Sequence, residues 1–322
     1  MATELRQAKN RIAIVGVVKE HKLKDNKGEN GKYINGSLVI ATKDNVEVEL
    51  RVFVNQMTNP KDGSEPKEKK AYGTLKSFIE GEYPTMASIK EDDEETKPTI
   101  VRVYGNGDFQ PSFREERYPN QAKTEMITRL SIDLGFGSIV VANDLKEENF
   151  TANYEVEAFV TEITDEVKTV DGEEEETGRL VIKGCVPTYG GGVFPITLIA
   201  ENQEGEGMEN FVEDVRDYIE EGDTVDFWGD IKFITMREKI ETKGKGIGKA
   251  KVEDKTTYIH DLILNGMEIV EDEEKQYDED DIRKAIKQRQ IDLEEALTKA
   301  QEDSEEVKKT KGVAGKRKAP KF

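Results

Sequence analysis

The sequence VRVYGNGDF at residues 101–109 has a counterpart 124 residues further along the chain, VDFWGDIKF at residues 225–233. In both stretches, apolar residues alternate with other residues up to a glycine, Gly105 or Gly229, and a phenylalanine follows four residues later. Alternation of period two that ends in glycine predicts a strand that bends or bulges sharply. A duplicated strand of this kind predicts a duplicated folding unit.

The flanking segments repeat in the same order. RIAIVGVV (11–18) corresponds to YEVEAFVTEI (154–163), and SLVIATK (37–43) corresponds to GRLVIKG (178–184). Each unit reads strand, strand, strand, helix, strand, strand, which is the order of a five-stranded OB-fold barrel with its helix between strands 3 and 4. We therefore predict a mainly β chain with two tandem OB-fold barrels, at residues 11–144 and 152–270. The alternative is two generic β-meanders, each with a helix.

The composition changes beyond residue 270. Residues 271–306 contain 15 acids and 6 bases, and Ile282, Ile286, Leu293 and Leu297 recur at helical spacing. Residues 307–322 contain seven bases and no acidic side chain. This pattern predicts an acidic linker with a helix, followed by a disordered basic tail.

The whole-chain composition limits the class of protein. There is no run of about 18 apolar residues, which predicts no membrane span, and the start MATELRQAKN lacks the apolar core of a secretion signal. Together with a single cysteine, this predicts a cytoplasmic protein. The net charge of −20 argues against a protein that binds nucleic acid over its whole surface. A basic groove on an acidic body stays possible, because salt screens each charge beyond about 8–10 Å.

The sequence offers no catalytic or metal-binding set. The two histidines, His21 and His260, lie in different units, and Cys185 has no second cysteine to join it. Zinc sites and general acid–base pairs need such groups close together. We expect a non-enzymatic protein without a metal or a cofactor.

Unit one carries basic and aromatic residues where OB folds bind single strands, namely the face of strands 2 and 3 and the loops beside it. On the third strand, Val46, Val48, Leu50, Val52 and Val54 share one face, and the other face carries Arg51 and Phe53. The candidate contacts are Lys19, Lys22, Lys24, Lys27, Lys32 and Tyr33 in the first loop, Arg51, Phe53, Arg102 and Tyr104 on outward strand faces, and Phe109, Phe113, Arg114, Arg117 and Tyr118 in the loop after the bent strand. The alternative for Phe109 and Phe113 is that they cap the barrel or pack against the other unit.

Unit two differs from unit one in the residues that could contact nucleic acid. Its first loop, DEVKTVDGEEEET (165–177), is acidic and would repel phosphate. Trp228 lies on the outward side of the bent strand, either to stack on a base or to fill the seam between units. The loop after that strand alternates lysine with glycine at its centre. The candidate phosphate contacts in this loop are Arg237, Lys239, Lys243, Lys245, Lys249 and Lys251.

With these residues in view, the chain resembles the OB-fold single-stranded DNA-binding proteins of large phages that infect Gram-positive bacteria. The resemblance covers residues 11–270 and rests on strand order and loop chemistry. It implies a sequence-tolerant protein that coats single-stranded DNA in replication and recombination and recruits partner proteins, in many families through an acidic tail ending in phenylalanine. Here the last residues, GKRKAPKF, are basic, which departs from that pattern. The rival interpretations are a single-stranded RNA binder and an OB-fold protein–protein module or virion component.

Overall fold

A computed structural model describes residues 5–29, 31–58, 64–105, 110–170, 172–205, 207–242 and 251–313. Backbone alone is described at residues 170, 235–242, 251–258 and 304–313. The chain is mainly β, as predicted. Its strands and helices are, in unit one, β1 (Asn10–His21), β2 (Lys24–Gly28), β3 (Gly31–Ala41), β4 (Glu47–Asn55), α1 (Lys70–Ile79), β5 (Ile100–Tyr104), β6 (Ser112–Pro119), β7 (Met126–Asp133) and β8 (Ser138–Val141); in unit two, β9 (Thr151–Val170), β10 (Glu173–Pro187), β11 (Val193–Ala200), α2 (Phe211–Tyr218), β12 (Thr224–Thr242) and β13 (Lys251–Ile269); and finally α3 (Glu279–Val313).

The two units pair their strands in the same order. In unit two, β9 pairs with β10 and β10 with β11, β11 runs parallel to β13, and β12 pairs with both β13 and β9. In unit one, β1, β3 and β4 form the antiparallel series, β4 runs parallel to β7, and β5 pairs with β1 and β8. The last strand of unit one is therefore split into β7 and β8, separated by residues 134–137.

Several segments that the sequence indicates as loops are hairpins. In unit one, β2 pairs with the start of β3, and β6 pairs with β7 along its whole length. In unit two, β9 with β10 and β12 with β13 form hairpins of strands 15 to 20 residues long. The sequence did not predict β2, β6 or the outer parts of the long hairpins of unit two, because both faces of these segments are largely polar, which removes the alternation of apolar residues that indicates a strand.

The face assignment of β4 is confirmed. Val46 in the isolated bridge before β4, and Val48, Leu50, Val52 and Val54 within it, are all buried, whereas Arg51 and Phe53 are exposed. The helix α1 places Tyr72, Leu75 and Phe78 in the core at a spacing of three residues, which puts them on one helix face. The Tyr72 hydroxyl also donates a 2.9 Å hydrogen bond to Asp25 of β2. Burial and this neighbour raise the pKa of Tyr72 to about 12.

The two units are joined by backbone pairing. The first half of β1 pairs with β9, from Asn10 opposite Val156 to Val15 opposite Thr151. Within unit one, the Asn10 amide donates to the Phe113 carbonyl oxygen and accepts from the Phe113 N–H, both at 2.9 Å, which attaches β6 to the start of β1. The pairings therefore link the thirteen strands in one connected hydrogen-bonded network.

Helix α3 follows the second unit and continues beyond its predicted end. It runs to Val313, so residues 307–313 of the expected disordered tail are helical, and residues 314–322 lie outside the described residues. It starts beside β12, where the Tyr277 N–H donates to the Thr224 hydroxyl. At its other end, Lys123 in the β6–β7 turn donates to the Ala300 carbonyl oxygen. Within the described ranges, no helix is long and apolar enough to cross a membrane.

The bulge predicted at the second bent strand is confirmed, because the register of β12 on β13 shifts between Trp228 and Gly229. A Cβ atom at Gly229 would lie 1.9 Å from the Ile263 carbonyl oxygen. In unit one the strand β5 ends at Tyr104, directly before Gly105. The glycine thus allows a close backbone approach at the bend in unit two.

We expect Gly229→Ala to destabilise the fold by about 1–3 kcal/mol, because the new methyl group overlaps a backbone oxygen that cannot turn away. The matched control is Gly73→Ala in α1, where no atom lies within 4 Å of the added Cβ. It should be neutral or stabilise by about 0.5–1 kcal/mol. Urea unfolding followed by circular dichroism measures both. A Gly229→Ala midpoint at or above that of the parent would contradict the close approach.

Candidate nucleic-acid interface

A groove of about 1710 Å³ lies on the outward face of unit one. Its floor is formed by the outward residues of β3 and β4, and its wall is formed by the β6–β7 hairpin. At one end it reaches Phe233 of β12 and His260 of β13, so it extends onto unit two. Its volume exceeds the roughly 300–1,000 Å³ that is usual for small-molecule sites. The groove is therefore large enough for an extended polymer.

Aromatic rings are exposed along this groove. Phe53 of β4 is 59% exposed, Tyr118 of β6 is 44% exposed and Phe136 is 72% exposed. The ammonium nitrogen of Lys69 lies 5.7 Å from the centre of the Phe136 ring. Flat, accessible rings next to cations are the components of a base-stacking surface.

Four arginines lie in the groove, and each is paired with a carboxylate. Arg51 pairs with Glu116, Arg114 with Asp133 at 3.4 Å, Arg129 with Glu49 at 3.4 Å, and Arg117 with Glu115 at 2.7 Å. The four arginine side chains are 32% to 67% exposed. Ion pairs this exposed contribute little, about 0–1 kcal/mol each, but the Glu115 partner of Arg117 is only 7% exposed. A phosphate group can therefore replace the carboxylate at small cost at Arg51, Arg114 and Arg129.

The groove is charge-balanced, which differs from the basic groove that the sequence indicates. The six bases that line it are matched by six acids. The bases are Lys22, Arg51, Lys69, Arg114, Arg117 and Arg129, and the acids are Glu20, Glu47, Glu49, Glu115, Glu116 and Asp133. The acids lie on four strands, with Glu20 on β1, Glu47 and Glu49 on β4, Glu115 and Glu116 on β6, and Asp133 on β7, so both signs of charge share the groove.

Two titratable groups of the groove have shifted pKa values. Burial raises the pKa of Asp133 above its usual value, and the nearby guanidinium groups of Arg114 and Arg51 only partly oppose this. Burial, with a smaller contribution from Arg129, lowers the pKa of His260. The His260 ring stacks on Phe233, with ring centres 4.8 Å apart. This pair offers the groove a ring surface.

Six of the predicted contacts line the groove: Lys22, Arg51, Phe53, Arg114, Arg117 and Tyr118. The other first-loop residues lie beside it. Lys24, Lys27 and Lys32 are exposed on the β2–β3 hairpin, and Lys19 pairs with Glu47. Tyr33 packs against Phe53, with ring centres 5.2 Å apart. The first loop and the groove floor are thus one continuous surface.

Three other predictions need correction. Arg102 and Tyr104 lie on β5, which pairs with β1 and β8, so they are not beside Arg51 and Phe53 as expected. Phe113 is 1% exposed and packs against Tyr154 of unit two, so its ring has no face for a base. The alternative that Phe113 packs between the units is the correct one.

Trp228 does not line the groove. It lies in a second pocket, between α2 and the β12–β13 pair, together with Asp214 and Asp217. Trp228 therefore cannot stack on a base bound in the groove, and its stacking on a base elsewhere stays a prediction. Phe109, Lys243, Lys245 and Lys249 lie outside the described residues, and Arg237, Lys239 and Lys251 have only their backbone described, on the β12–β13 hairpin.

Several residues that line the groove were not predicted from the sequence. Lys69 and Phe136 lie outside the strands that repeat, and Arg129 lies in a segment that the sequence indicates only as the final strand of unit one. Phe233 belongs to the repeated stretch, and its position four residues after Gly229 was a usable signal. Only the pairing of β12 with β13 brings Phe233 and His260 together.

A family model described as YorF matches residues 9–299 of the chain. The chain belongs to the YorF family. No curated protein matches it. Among solved structures, it is similar to a deletion mutant of the single-stranded DNA binding protein from Thermus aquaticus, at 8% sequence identity and a TM-score of 0.38. That similarity covers 82% of this chain and 95% of the other.

Helix α3 fixes the hairpin that walls the groove of this YorF-family chain. Arg289 of α3 donates to the Glu115 carboxylate at 3.1 Å through its Nε atom, and Glu115 in turn accepts from Arg117. The Glu115 side chain is only 7% exposed. At the hairpin turn, Gln301 donates to the Lys123 carbonyl oxygen at 2.7 Å. The C-terminal helix thus positions Arg117 through a shared, nearly buried carboxylate.

We expect Arg289→Gln to destabilise the protein by about 1–3 kcal/mol, because Glu115 loses one of its two charged partners in a nearly buried position. Amide hydrogen exchange should rise mainly in β6 and β7. The control is Arg283→Gln on the same helix, whose ion pair with Glu279 is well exposed. It should leave the unfolding midpoint unchanged. Equal exchange in β6 and β7 for the two variants would contradict a positioning role of α3.

Proposed function

We propose that the chain is a non-enzymatic, sequence-tolerant single-stranded DNA-binding protein built from two tandem five-stranded OB-fold barrels. The observation that carries the proposal is the groove on the β3–β4 face, in which exposed rings alternate with exposed arginines. It has the composition that single-strand binding requires, because rings stack on bases of any sequence and cations hold the phosphates.

The barrel proposal is supported by the order of the pairings. In each unit the third strand runs parallel to the last one, and the fourth strand pairs with both the first and the last. An OB fold binds oligonucleotides on its second and third strands and on the loops after its first and fourth strands. In unit one these positions correspond to β3, β4, the β2–β3 hairpin and the β6–β7 hairpin.

The ion pairs in the groove define how the strand would bind. Arg51, Arg114 and Arg129 each exchange a carboxylate for a phosphate, whereas Arg117 stays paired with Glu115, which is nearly buried and also held by Arg289. The ion pairs hold the arginines extended and ordered before the strand arrives, which lowers the entropy cost of binding. Because the carboxylates compete with the phosphates, the net electrostatic attraction is weaker than the number of arginines indicates. Ring stacking therefore carries a larger share of the affinity.

The proposed setting follows from the resemblance. We place the protein in the cytoplasm of a bacterial host, encoded by a phage, in DNA replication or recombination. Its partners would be single-stranded DNA and, through the C-terminal region, replication or recombination proteins. Competition between DNA and RNA strands of matched sequence tests the choice of nucleic acid, and a protein–protein module would bind neither.

The first test concerns the rings. We expect Phe53→Ala and Tyr118→Ala each to weaken binding of an oligo-dT by about 1–3 kcal/mol, or about 5- to 150-fold, because one stacked base is lost. The control is Tyr189→Ala, at a tyrosine that is 89% exposed in the turn between β10 and β11. It should bind as the parent does. Fluorescence anisotropy of a labelled oligonucleotide measures all three. Unchanged affinity in both groove variants would exclude this groove as the binding site.

The second test concerns the phosphates. The logarithm of the binding constant should fall with the logarithm of salt concentration, and Arg51→Gln or Arg114→Gln should reduce the steepness by about 0.7–1 per lost contact. The control is Arg216→Gln, on α2 and outside the groove, where Arg216 pairs with Asp165. A slope equal to that of the parent in both groove variants would show that these arginines keep their carboxylates and bind no phosphate.

A further inference from the structure

The second pocket, of about 460 Å³, lies on unit two and is lined by α2, β12 and β13. Phe211 and Val215 of α2 form its base, and Trp228 and Tyr218 are 42% and 52% exposed at its mouth. A Cβ atom at Gly266 would lie 2.4 Å from the Trp228 ring, so the glycine lets the indole lie flat on β13. An accessible tryptophan beside a tyrosine is typical of a protein-binding hot spot.

The rim of this pocket is acidic. Asp214 and Asp217 line it, and both are exposed. The one basic residue of α2, Arg216, is bound to Asp165 of β9 at 2.5 Å. This charge would repel a nucleic acid and attract a cationic peptide. The pocket therefore suits a basic segment that also carries an apolar side chain to fill it.

The chain itself contains such a segment. Residues 314–322, AGKRKAPKF, have four bases, no acid and one aromatic residue, Phe322. We propose that this segment of one copy binds the acidic aromatic pocket of a second copy, with Phe322 beside Trp228 and the lysines facing Asp214 and Asp217. The segment comes from a second copy of this chain. The groove of unit one takes no part in the contact.

The length of α3 decides that the contact is between copies. A helix of 35 residues is about 52 Å long, and α3 starts beside Thr224 and leads away to the hairpin of unit one. Trp228 lies only four residues beyond Thr224 on β12, or about 13 Å. Nine extended residues after Val313 span at most about 32 Å. The segment therefore cannot return to the pocket of its own chain.

Such a contact joins two different surfaces and leaves one pocket and one basic segment unused at the ends. Heterologous contacts of this kind produce open chains of molecules if the rotation does not close a ring. At physiological salt the charges interact over about 8 Å, so the local attraction can act in spite of the net charge of −20.

The test uses the full chain without nucleic acid, so that its result is independent of DNA binding. Sedimentation velocity at about 0.15 M salt should show reversible association of the parent that weakens with added salt. Two charge reversals, Asp214→Lys with Asp217→Lys and Lys316→Glu with Arg317→Glu and Lys318→Glu, should each lower the association constant by about tenfold or more. Circular dichroism confirms that both variants are folded.

A mixture of the two variants provides the decisive control. One variant supplies an intact basic segment and the other supplies an intact pocket. The mixture should therefore form a one-to-one dimer and no larger assembly. Combining both reversals in one chain should restore association. Trp228 is the only tryptophan, and its emission should shift to the blue in every associated sample. A monomeric parent, a mixture that stays monomeric, association that survives either reversal, or unchanged Trp228 emission would each overturn the proposal.

Discussion

Strand β1 is the element on which the rest of the structure depends, because its backbone pairs with three neighbours. It pairs with β9 from Asn10 to Val15, with β5 from Ile14 to Val17, and with β3 beyond Val17. A Cβ atom at Gly16 would lie 2.3 Å from the Ala41 carbonyl oxygen, so only glycine allows β1 to pass this close to β3. The same strand thus organises unit one and attaches it to unit two. Since its pairs are backbone hydrogen bonds in a fixed register, the two units cannot rotate freely.

The strands and helices with one buried face could be predicted from the sequence. The alternation of buried and exposed residues in β4, and the spacing of Tyr72, Leu75 and Phe78 in α1, follow directly from a core on one side of each element. The hairpins β6–β7 and β9–β10 could not be predicted in this way, because their outer parts are stabilised by pairing with each other and not by burial. The β1–β9 pairing leaves no local signal either, since any alternating strand could form it.

The charge of the groove also could not be predicted from the sequence of single strands and loops. The number of bases in each loop indicated a cationic surface, and these bases are present. Some of the acids that neutralise them come from distant parts of the chain: Glu49 reaches Arg129 across 80 residues, and Glu116 of β6 reaches Arg51 of β4. Cross-strand neighbours of opposite charge are brought together by register, which the sequence of either strand alone does not contain. The composition of a loop therefore gives the number of its cations, whereas the fold determines how many of them are paired with carboxylates.

The duplication kept the pairing order and changed the surfaces. In unit two the hairpin of β9 and β10 carries Glu173, Glu174, Glu175 and Glu176 where unit one carries the lysines of its β2–β3 hairpin. The helix α2 adds further carboxylates around Trp228, whereas α1 directs its aromatic residues into the core. Surface charge can diverge in this way without cost to the fold, because exposed ion pairs contribute little to stability. Two copies of one architecture can therefore present different surfaces: a charge-balanced groove with exposed rings on unit one, and an acidic pocket beside Trp228 on unit two.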